Sequence, residues 1–137
     1  MSVLNICEQN PPTVAPQTSV ADAIRRMLED RSGAVTVVDE HRVVAGIFTE
    51  RDVLKRVALS GRDPETTPVR DFMTTPVELA TEETSEAEAL QAMLERHYRH
   101  LPVVDHQGRL MGMLSIRHVL QARIDELVQQ LAAEKAR

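Results

Sequence analysis

Apolar positions along the chain alternate between two kinds of spacing, and this alternation predicts the secondary structure of the first half. Apolar residues recur at helical spacing over residues 19–30, behind a Thr-Ser signal for the start of a helix. Two runs rich in β-branched residues follow at 34–38 and 43–48, with a polar turn between them. A short extended piece at 12–15 precedes the helix, and a second helix closes the unit. The predicted order is β-α-β-β-α.

The second half repeats this pattern at a constant offset of 66 residues. Residues 3–7 align with residues 69–73, and the Thr-Ser pair at 18–19 aligns with the pair at 84–85. One offset that holds from end to end indicates an internal duplication. The second unit is therefore predicted to contain an extended piece at 77–80, a helix at 85–96, and strands at 101–104 and 110–114.

The domain organisation follows from the duplication and from one segment with Gly, Pro and charged residues. We predict repeat 1 at 1–60, a linker at 61–68, repeat 2 at 69–121 and a C-terminal helix extension at 122–137. The last helix runs from about Ile116 towards Lys135 and carries apolar residues at a four-three-four spacing: Leu120, Ile124, Leu127 and Leu131. This stripe spans only about two heptads, so it predicts either a dimer seam or packing against the helix's own domain.

Composition excludes several classes of function. Hydrophobic residues make up 42% and charged residues 27%, which is typical of a globular protein. Aromatic residues make up 2% and the net charge is -5, so we expect no nucleic-acid partner. The N-terminus lacks a secretory signal and no apolar run is long enough to span a bilayer, so we expect a cytoplasmic protein without a membrane partner. Cys7 is the only cysteine, which excludes a disulfide framework.

Each repeat carries a similar polar motif where its last strand runs into its closing helix. In repeat 1, Gly46 is followed by Thr49 at the predicted N-cap and by Asp52 three residues later. A helix N-terminus attracts phosphate, and a carboxylate can accept hydrogen bonds from both hydroxyls of a ribose. The same pair is also a variant of the capping box, in which both side chains only satisfy helix-end N–H groups. The duplication favours the ligand-binding interpretation.

Other candidate sites are weaker. The basic cluster at 96–100 is interpreted either as a solvated helix end or as a phosphate clamp. The five histidines lack the paired helical spacing of a zinc protease, so no metal site is predicted. The sequence contains no Gly-x-Ser-x-Gly elbow, no Walker-A loop and no Gly-x-Gly-x-x-Gly fingerprint, so we do not expect an enzyme.

With both copies aligned, the chain resembles a tandem pair of cystathionine-β-synthase (CBS) domains of the stand-alone bacterial type. The residues at 46–52 and 112–118 fit that family's Gly-h-h-Thr/Ser-x-x-Asp/Asn signature, in which h is apolar, and those at 74–77 and 99–105 are also typical of it. The resemblance covers residues 3–120. It implies an α+β fold in which two repeats pack about a pseudo-twofold axis and form two clefts. It also implies that the modules form homodimers.

The resemblance further implies a regulatory ligand that contains adenosine, such as AMP, ADP, ATP, NAD or S-adenosylmethionine. In one cleft, Thr49 and Asp52 are expected to hold the ribose and the nearby phosphate, with Gly46 allowing close approach of the ligand. Arg51 belongs to the same motif. Tyr98, Arg99 and His100 are expected to contact the base or the phosphates, and their small counterparts in repeat 1, Gly33 and Ala34, are expected to leave space.

In the second cleft the corresponding residues are Ser115, Arg117 and His118. His118 departs from the family pattern, because a neutral imidazole offers one acceptor where a carboxylate offers several. We therefore expect unequal sites, with the Thr49 cleft the stronger. The resulting hypothesis is an adenine-nucleotide sensor that an unidentified protein partner reads. The alternative is a ligand-free module for dimerisation or interaction.

Overall fold

The computed structural model describes residues 2–136. Repeat 1 comprises β1 (Thr13–Val14), α1 (Val20–Glu29), β2 (Ala34–Val38), β3 (Val44–Thr49) and α2 (Glu50–Asp52), which continues as a π-helical turn (Val53–Val57). Repeat 2 comprises β4 (Ala80–Thr81), α3 (Glu86–Arg96), β5 (His100–Val104), β6 (Leu110–Ser115) and α4 (Ile116–Lys135). A short 3₁₀ turn lies at the start of each repeat, Val3–Asn5 and Val69–Asp71. The predicted α+β fold is confirmed.

Each repeat forms its own three-stranded sheet, with the strand order β1-β2-β3 or β4-β5-β6. The first pair in each sheet is parallel and the second is antiparallel. Ala34 pairs with Thr49 in the first sheet, as His100 pairs with Ser115 in the second. The antiparallel strand pair of each sheet also has a shift in register at the equivalent position, between residues 37 and 38 and between residues 103 and 104. The duplication read from the sequence therefore extends to strand register.

The predicted extended piece at 77–80 is only partly a strand, because β4 begins at Ala80, where it pairs with Val103. Val77 instead packs against an apolar layer formed by Ala34, Ile47 and Met113, which come from both repeats. Val77 is therefore half-buried against the neighbouring repeat, and it has no ladder partner in its own sheet.

A hydroxyl residue begins each of the four helices. Its side chain accepts a hydrogen bond from the backbone N–H three residues later, which satisfies one of the free N–H groups at the helix start. The four N-caps are Ser19, Thr49, Ser85 and Ser115. The Thr-Ser and Gly-h-h-Thr/Ser signals of the sequence therefore mark the observed helix starts.

The segment that begins each repeat completes the core of the other repeat. Val3 and Cys7 are buried in the core of repeat 2 with Leu101 and Leu114. Conversely, Val69 is buried in the core of repeat 1, where Phe72 and Met73 pack against it. Burial raises the pKa of the Cys7 thiol, as expected for a small apolar residue. The two halves are thus intertwined.

Backbone hydrogen bonds join the repeats symmetrically. Ile47 exchanges two bonds with Thr74, at 3.1 and 2.8 Å, and Met113 exchanges two with Glu8, at 3.0 and 2.9 Å. Each crossing segment therefore pairs with the outer edge of the other repeat's sheet. Exposed strand edges invite association with other chains, and these edges are partly closed within the chain.

Helix α4 extends beyond the body of the protein. Val119 is its one buried residue, and every residue from 123 to 136 is exposed. The exposed fractions along its apolar stripe are 46% for Leu120, 54% for Ile124, 47% for Leu127 and 59% for Leu131. The stripe is therefore not covered by the helix's own domain, which was one of the two predicted alternatives. Within residues 2–136, no helix is both long and apolar enough to cross a membrane.

Candidate functional site

A narrow cleft lies between the two repeats. It is lined by Ile47, Thr74, Val77, Glu78, Tyr98 and His100. Its cavity volume is about 20 Å³, which is room for about one water molecule. A wider depression of about 390 Å³ lies elsewhere on repeat 1, lined only by residues 15–17 and 38–40. The wider depression contains none of the predicted site residues, so the cleft between the repeats is the better candidate.

Asp52 is almost completely buried, with 5% of its surface exposed. Its Oδ2 accepts hydrogen bonds from the Thr49 N–H at 3.0 Å and from the Thr49 hydroxyl at 3.2 Å. Its Oδ1 accepts a bond of 2.9 Å from the hydroxyl of Thr74, a residue that lines the cleft. The capping box is therefore formed, and the carboxylate also lies one side chain behind the cleft wall.

The space left by the missing side chain of Gly46 is occupied by another segment of the protein. A Cβ at this position would lie 2.9 Å from Cγ of Met73 and 3.1 Å from the carbonyl oxygen of Thr74, with the Met73 sulfur nearer still. Both neighbours belong to the segment that crosses from repeat 2. The glycine therefore allows the crossing segment to approach β3, and its contact with a ligand stays a prediction.

In the second motif, His118 replaces the aspartate as a helix cap. Its Nδ1 accepts a hydrogen bond of 3.1 Å from the Ser115 N–H, while the Ser115 hydroxyl accepts one of 3.3 Å from the His118 N–H. Because Nδ1 accepts this bond, the proton of the neutral ring lies on Nε2. The remaining ring nitrogen is thus a donor, and it offers no acceptor to a ribose hydroxyl.

The segment at 97–100 brings repeat 2 against the start of α2. Arg51 donates a hydrogen bond of 3.3 Å from its guanidinium to the carbonyl oxygen of His97, which has a left-handed backbone with a φ of 60°. Tyr98 and His100 face the cleft, whereas Arg99 is exposed. The predicted residues Arg51, Tyr98 and His100 therefore come together, although they are far apart in sequence.

Glu50 was missed by the sequence analysis. A Cβ at Gly33 would lie 3.2 Å from Oε1 of Glu50 and 3.4 Å from Cε1 of His100, so both side chains occupy the space that this glycine leaves. The feature of the sequence that could have identified Glu50 is its position directly after the N-cap Thr49. A side chain there lies at the same end of α2 as those of Thr49 and Asp52. Gly33 was predicted to leave space, and the structure shows which side chains use it.

Burial lowers the pKa of His100, with smaller effects from its charged neighbours. Glu50 raises this pKa, whereas His118 and Arg99 lower it further. In the second sheet, Ser115 of the second motif pairs directly with His100 of the cleft. Arg117 is exposed on the first turn of α4, next to His118. The residues predicted for the two clefts thus meet around His100.

One group of side chains could in principle hold a cation. Nε2 of His106 lies 3.3 Å from Glu82 and 3.7 Å from Glu83, and all three residues are exposed. Exposed carboxylates beside a histidine are ordinary on protein surfaces, so this contact needs no bound ion to explain it.

The sequence matches the CBS domain family twice, at residues 3–59 and at residues 69–125. Among curated proteins, an uncharacterized 17.7 kDa protein of Acidianus ambivalens is 40% identical over 112 residues, or 82% of this chain. This chain spans 66% of that relative's length, and it spans 62% and 56% of the lengths of two others. The curated relatives are therefore longer proteins.

Solved structures share the fold over most of the chain. A CBS-domain containing protein from Agrobacterium tumefaciens is 33% identical, with a TM-score of 0.81 over 90% of this chain and 99% of that one. CBSX2, solved in complex with AMP, is 28% identical, with a TM-score of 0.80 over 90% and 96% of the two chains. This chain therefore belongs to the CBS domain family, and it contains two CBS repeats.

Proposed function

We propose that the protein is a regulatory module that binds an adenosine-containing nucleotide in the cleft between its repeats. The observation that carries the proposal is the hydrogen bond from Thr74 to Asp52, because it places the motif carboxylate directly behind a residue of the cleft wall. The structure of CBSX2 with AMP supports the same class of ligand, since the two chains share their fold at 28% identity.

Recognition is divided among three kinds of groups. When Thr74 turns away from Asp52, the freed Oδ1 can accept a hydrogen bond from a ribose hydroxyl. Arg51 and Arg99 lie at the start of α2 and beside His100, where they supply positive charge for phosphate oxygens. The apolar layer around Ile47 and Val77 suits the flat face of a purine.

Ligand entry requires the cleft to open. A cavity of about 20 Å³ is far too small for a nucleoside, so the repeats or their side chains must separate. A ligand that binds only the open arrangement shifts the equilibrium towards it. A protein partner that distinguishes the two arrangements would then respond to the nucleotide without any chemical reaction.

The two clefts are expected to differ in affinity. Both Asp52 oxygens accept hydrogen bonds within the protein, but Oδ1 accepts its bond from the Thr74 hydroxyl, which can turn away. The accepting nitrogen of His118 is instead bonded to the backbone N–H of Ser115. One strong site per chain is therefore expected, on the side of Thr49 and Asp52.

Titration with AMP, ADP, ATP, NAD and S-adenosylmethionine tests the proposal. At least one of them should raise the melting temperature, and calorimetry should show one strong site per chain. His100 lines the cleft, so replacing it by Gln removes a flat ring against which the ligand can pack. This substitution should weaken the ligand about tenfold, or about 1.4 kcal/mol. His41→Gln, at an exposed histidine in the turn of repeat 1, is the matched control and should leave affinity unchanged.

Failure of all five ligands to shift the melting temperature would contradict nucleotide binding. Native mass spectrometry of the purified protein, with no nucleotide retained, would then favour the ligand-free module for dimerisation and interaction. Turnover of ATP or NAD would instead indicate an enzyme.

We also propose a homodimer formed through α4. A single projecting helix gains little stability from its own hydrogen bonds in water, so tertiary or quaternary packing must support it. The exposed stripe is self-complementary, because a second copy presents the same four apolar residues at the same spacing.

Ile124→Glu should therefore convert a dimer to a monomer in sedimentation equilibrium. Gln129→Glu, on the opposite face of the same helix, should have no effect, and a dimer that survives Ile124→Glu contradicts the proposal.

A further inference from the structure

One buried polar atom lacks a hydrogen-bond partner among the residues that the structure describes: the hydroxyl oxygen of Thr36, in the middle of β2. The side chain is 0% exposed. A buried hydroxyl without a partner loses its bonds to water and gains none in return, which costs stability. Such a group therefore needs an explanation.

The fold itself does not require the hydroxyl. Residue 102 is the equivalent position in repeat 2 by the offset of 66, and it is a proline that is also buried. The flanking strand positions, Val35 and Val37, pack into the core of repeat 1. An apolar residue of similar shape would therefore serve packing at position 36.

Strand geometry places this hydroxyl towards the other repeat. Side chains alternate between the two faces of a sheet, so Thr36 points away from the core that holds Val35 and Val37. Thr36 lies directly opposite Ile47 in the antiparallel register, and opposite residues share a face with Cβ atoms about 5 Å apart. Ile47 lines the cleft, and Thr36 is its direct cross-strand neighbour on the same face of the sheet.

We propose that the Thr36 hydroxyl is a specificity-determining group that hydrogen-bonds the heterocyclic base of the bound nucleotide. This inference rests on the proposed function. The base is the flat, weakly polar part of such a ligand, and it fits the apolar layer of Ala34, Ile47, Val77 and Met113. Inside that layer a base edge needs a polar partner, and a hydroxyl can both donate and accept.

The unpaired Thr36 hydroxyl destabilises the free protein, and its hydrogen bond to the base offsets this loss in the complex. Opening the cleft moves Ile47 aside and lets the base reach Thr36, so the bond forms only when ligand is bound. Removing the hydroxyl should therefore have opposite effects on the free protein and on binding. A residue with a purely structural role does not show this combination.

Two substitutions separate the hydroxyl from the shape of the side chain. Thr36→Val keeps the shape and removes the hydroxyl, and it should raise the melting temperature of the free protein by about 3 °C. It should weaken AMP, measured by calorimetry with ATP as a second probe, about tenfold. Thr36→Ser keeps the hydroxyl, and it should bind within about threefold of the unaltered protein.

The outcomes that overturn the inference are distinct from failure of nucleotide binding as a whole. If the unaltered protein binds AMP or ATP and Thr36→Val binds equally well, the hydroxyl plays no part in recognition. A lower melting temperature for Thr36→Val shows that the hydroxyl is already bonded in the free protein, which also overturns the inference. If the unaltered protein binds none of the five ligands named above, the proposed function falls first and this inference falls with it.

Discussion

Asp52→Ala is expected to lower the free energy of unfolding by about 3 kcal/mol. The substitution removes a helix cap and leaves two hydroxyls and one backbone N–H without their acceptor, those of Thr49 and Thr74. Because Asp52 is 5% exposed, water cannot readily replace the lost carboxylate. The expected cost therefore exceeds that of an ordinary N-terminal cap.

The second repeat offers a matched control for this experiment. Ser85 and Glu88 form the same capping box at the start of α3, but there Glu88 is exposed. Glu88→Ala should cost about 0.5–1 kcal/mol, since water can hydrate the freed groups. Urea unfolding of the two variants measures the difference. Equal losses would show that the buried bond to Thr74 adds nothing to the cap.

Asp52→Ala also affects how ligand binding must be measured. A variant that is partly unfolded binds less ligand for a reason unrelated to contact, because only the folded fraction is competent. Asp52→Asn keeps the shape and one carbonyl acceptor while it removes the charge. A fall in affinity of folded Asp52→Asn is therefore the cleaner evidence for a ribose contact.

Local patterns in the sequence predicted most of the secondary structure. The predicted strand at 34–38 has the observed bounds, and the hydroxyl residues at 19, 49, 85 and 115 begin the four helices. These features depend on side-chain alternation and on capping, which act within a few residues. The constant offset then predicted that both halves share one topology, which the two sheets confirm.

The contacts between the repeats could not be predicted in the same way. Val3 and Val69 occupy equivalent positions, so the sequence alone cannot show that each packs in the core of the other repeat. The bond from Thr74 to Asp52 arises from this exchange, and the proximity of Glu50 to His100 arises from the packing of the two repeats against each other. The motif residues were visible in the sequence, but the neighbours that complete their surroundings were not.

The contacts of the crossing segments also predict how much stability is lost when either motif glycine, Gly46 or Gly112, is replaced. A Cβ at Gly112 would lie 2.6 Å from the sulfur of Cys7 and 2.7 Å from the carbonyl oxygen of Glu8. That carbonyl accepts a hydrogen bond from the Met113 N–H, so it cannot move without breaking the link between the repeats. Gly112→Ala should therefore cost about 3 kcal/mol, or about 10 °C in melting temperature.

Gly46→Ala should be milder, at about 1–2 kcal/mol, because its worst contact is the flexible side chain of Met73. A double-mutant cycle separates the two cases. In a Met73→Ala background, Gly46→Ala should lose most of its cost, since the new methyl group enters the vacated space. In a Cys7→Ala background, Gly112→Ala should stay costly, because the backbone oxygen of Glu8 remains in place. Equal rescue in both backgrounds would mean that the crossing segments yield easily, and that the two repeats are held together less tightly than their paired hydrogen bonds indicate.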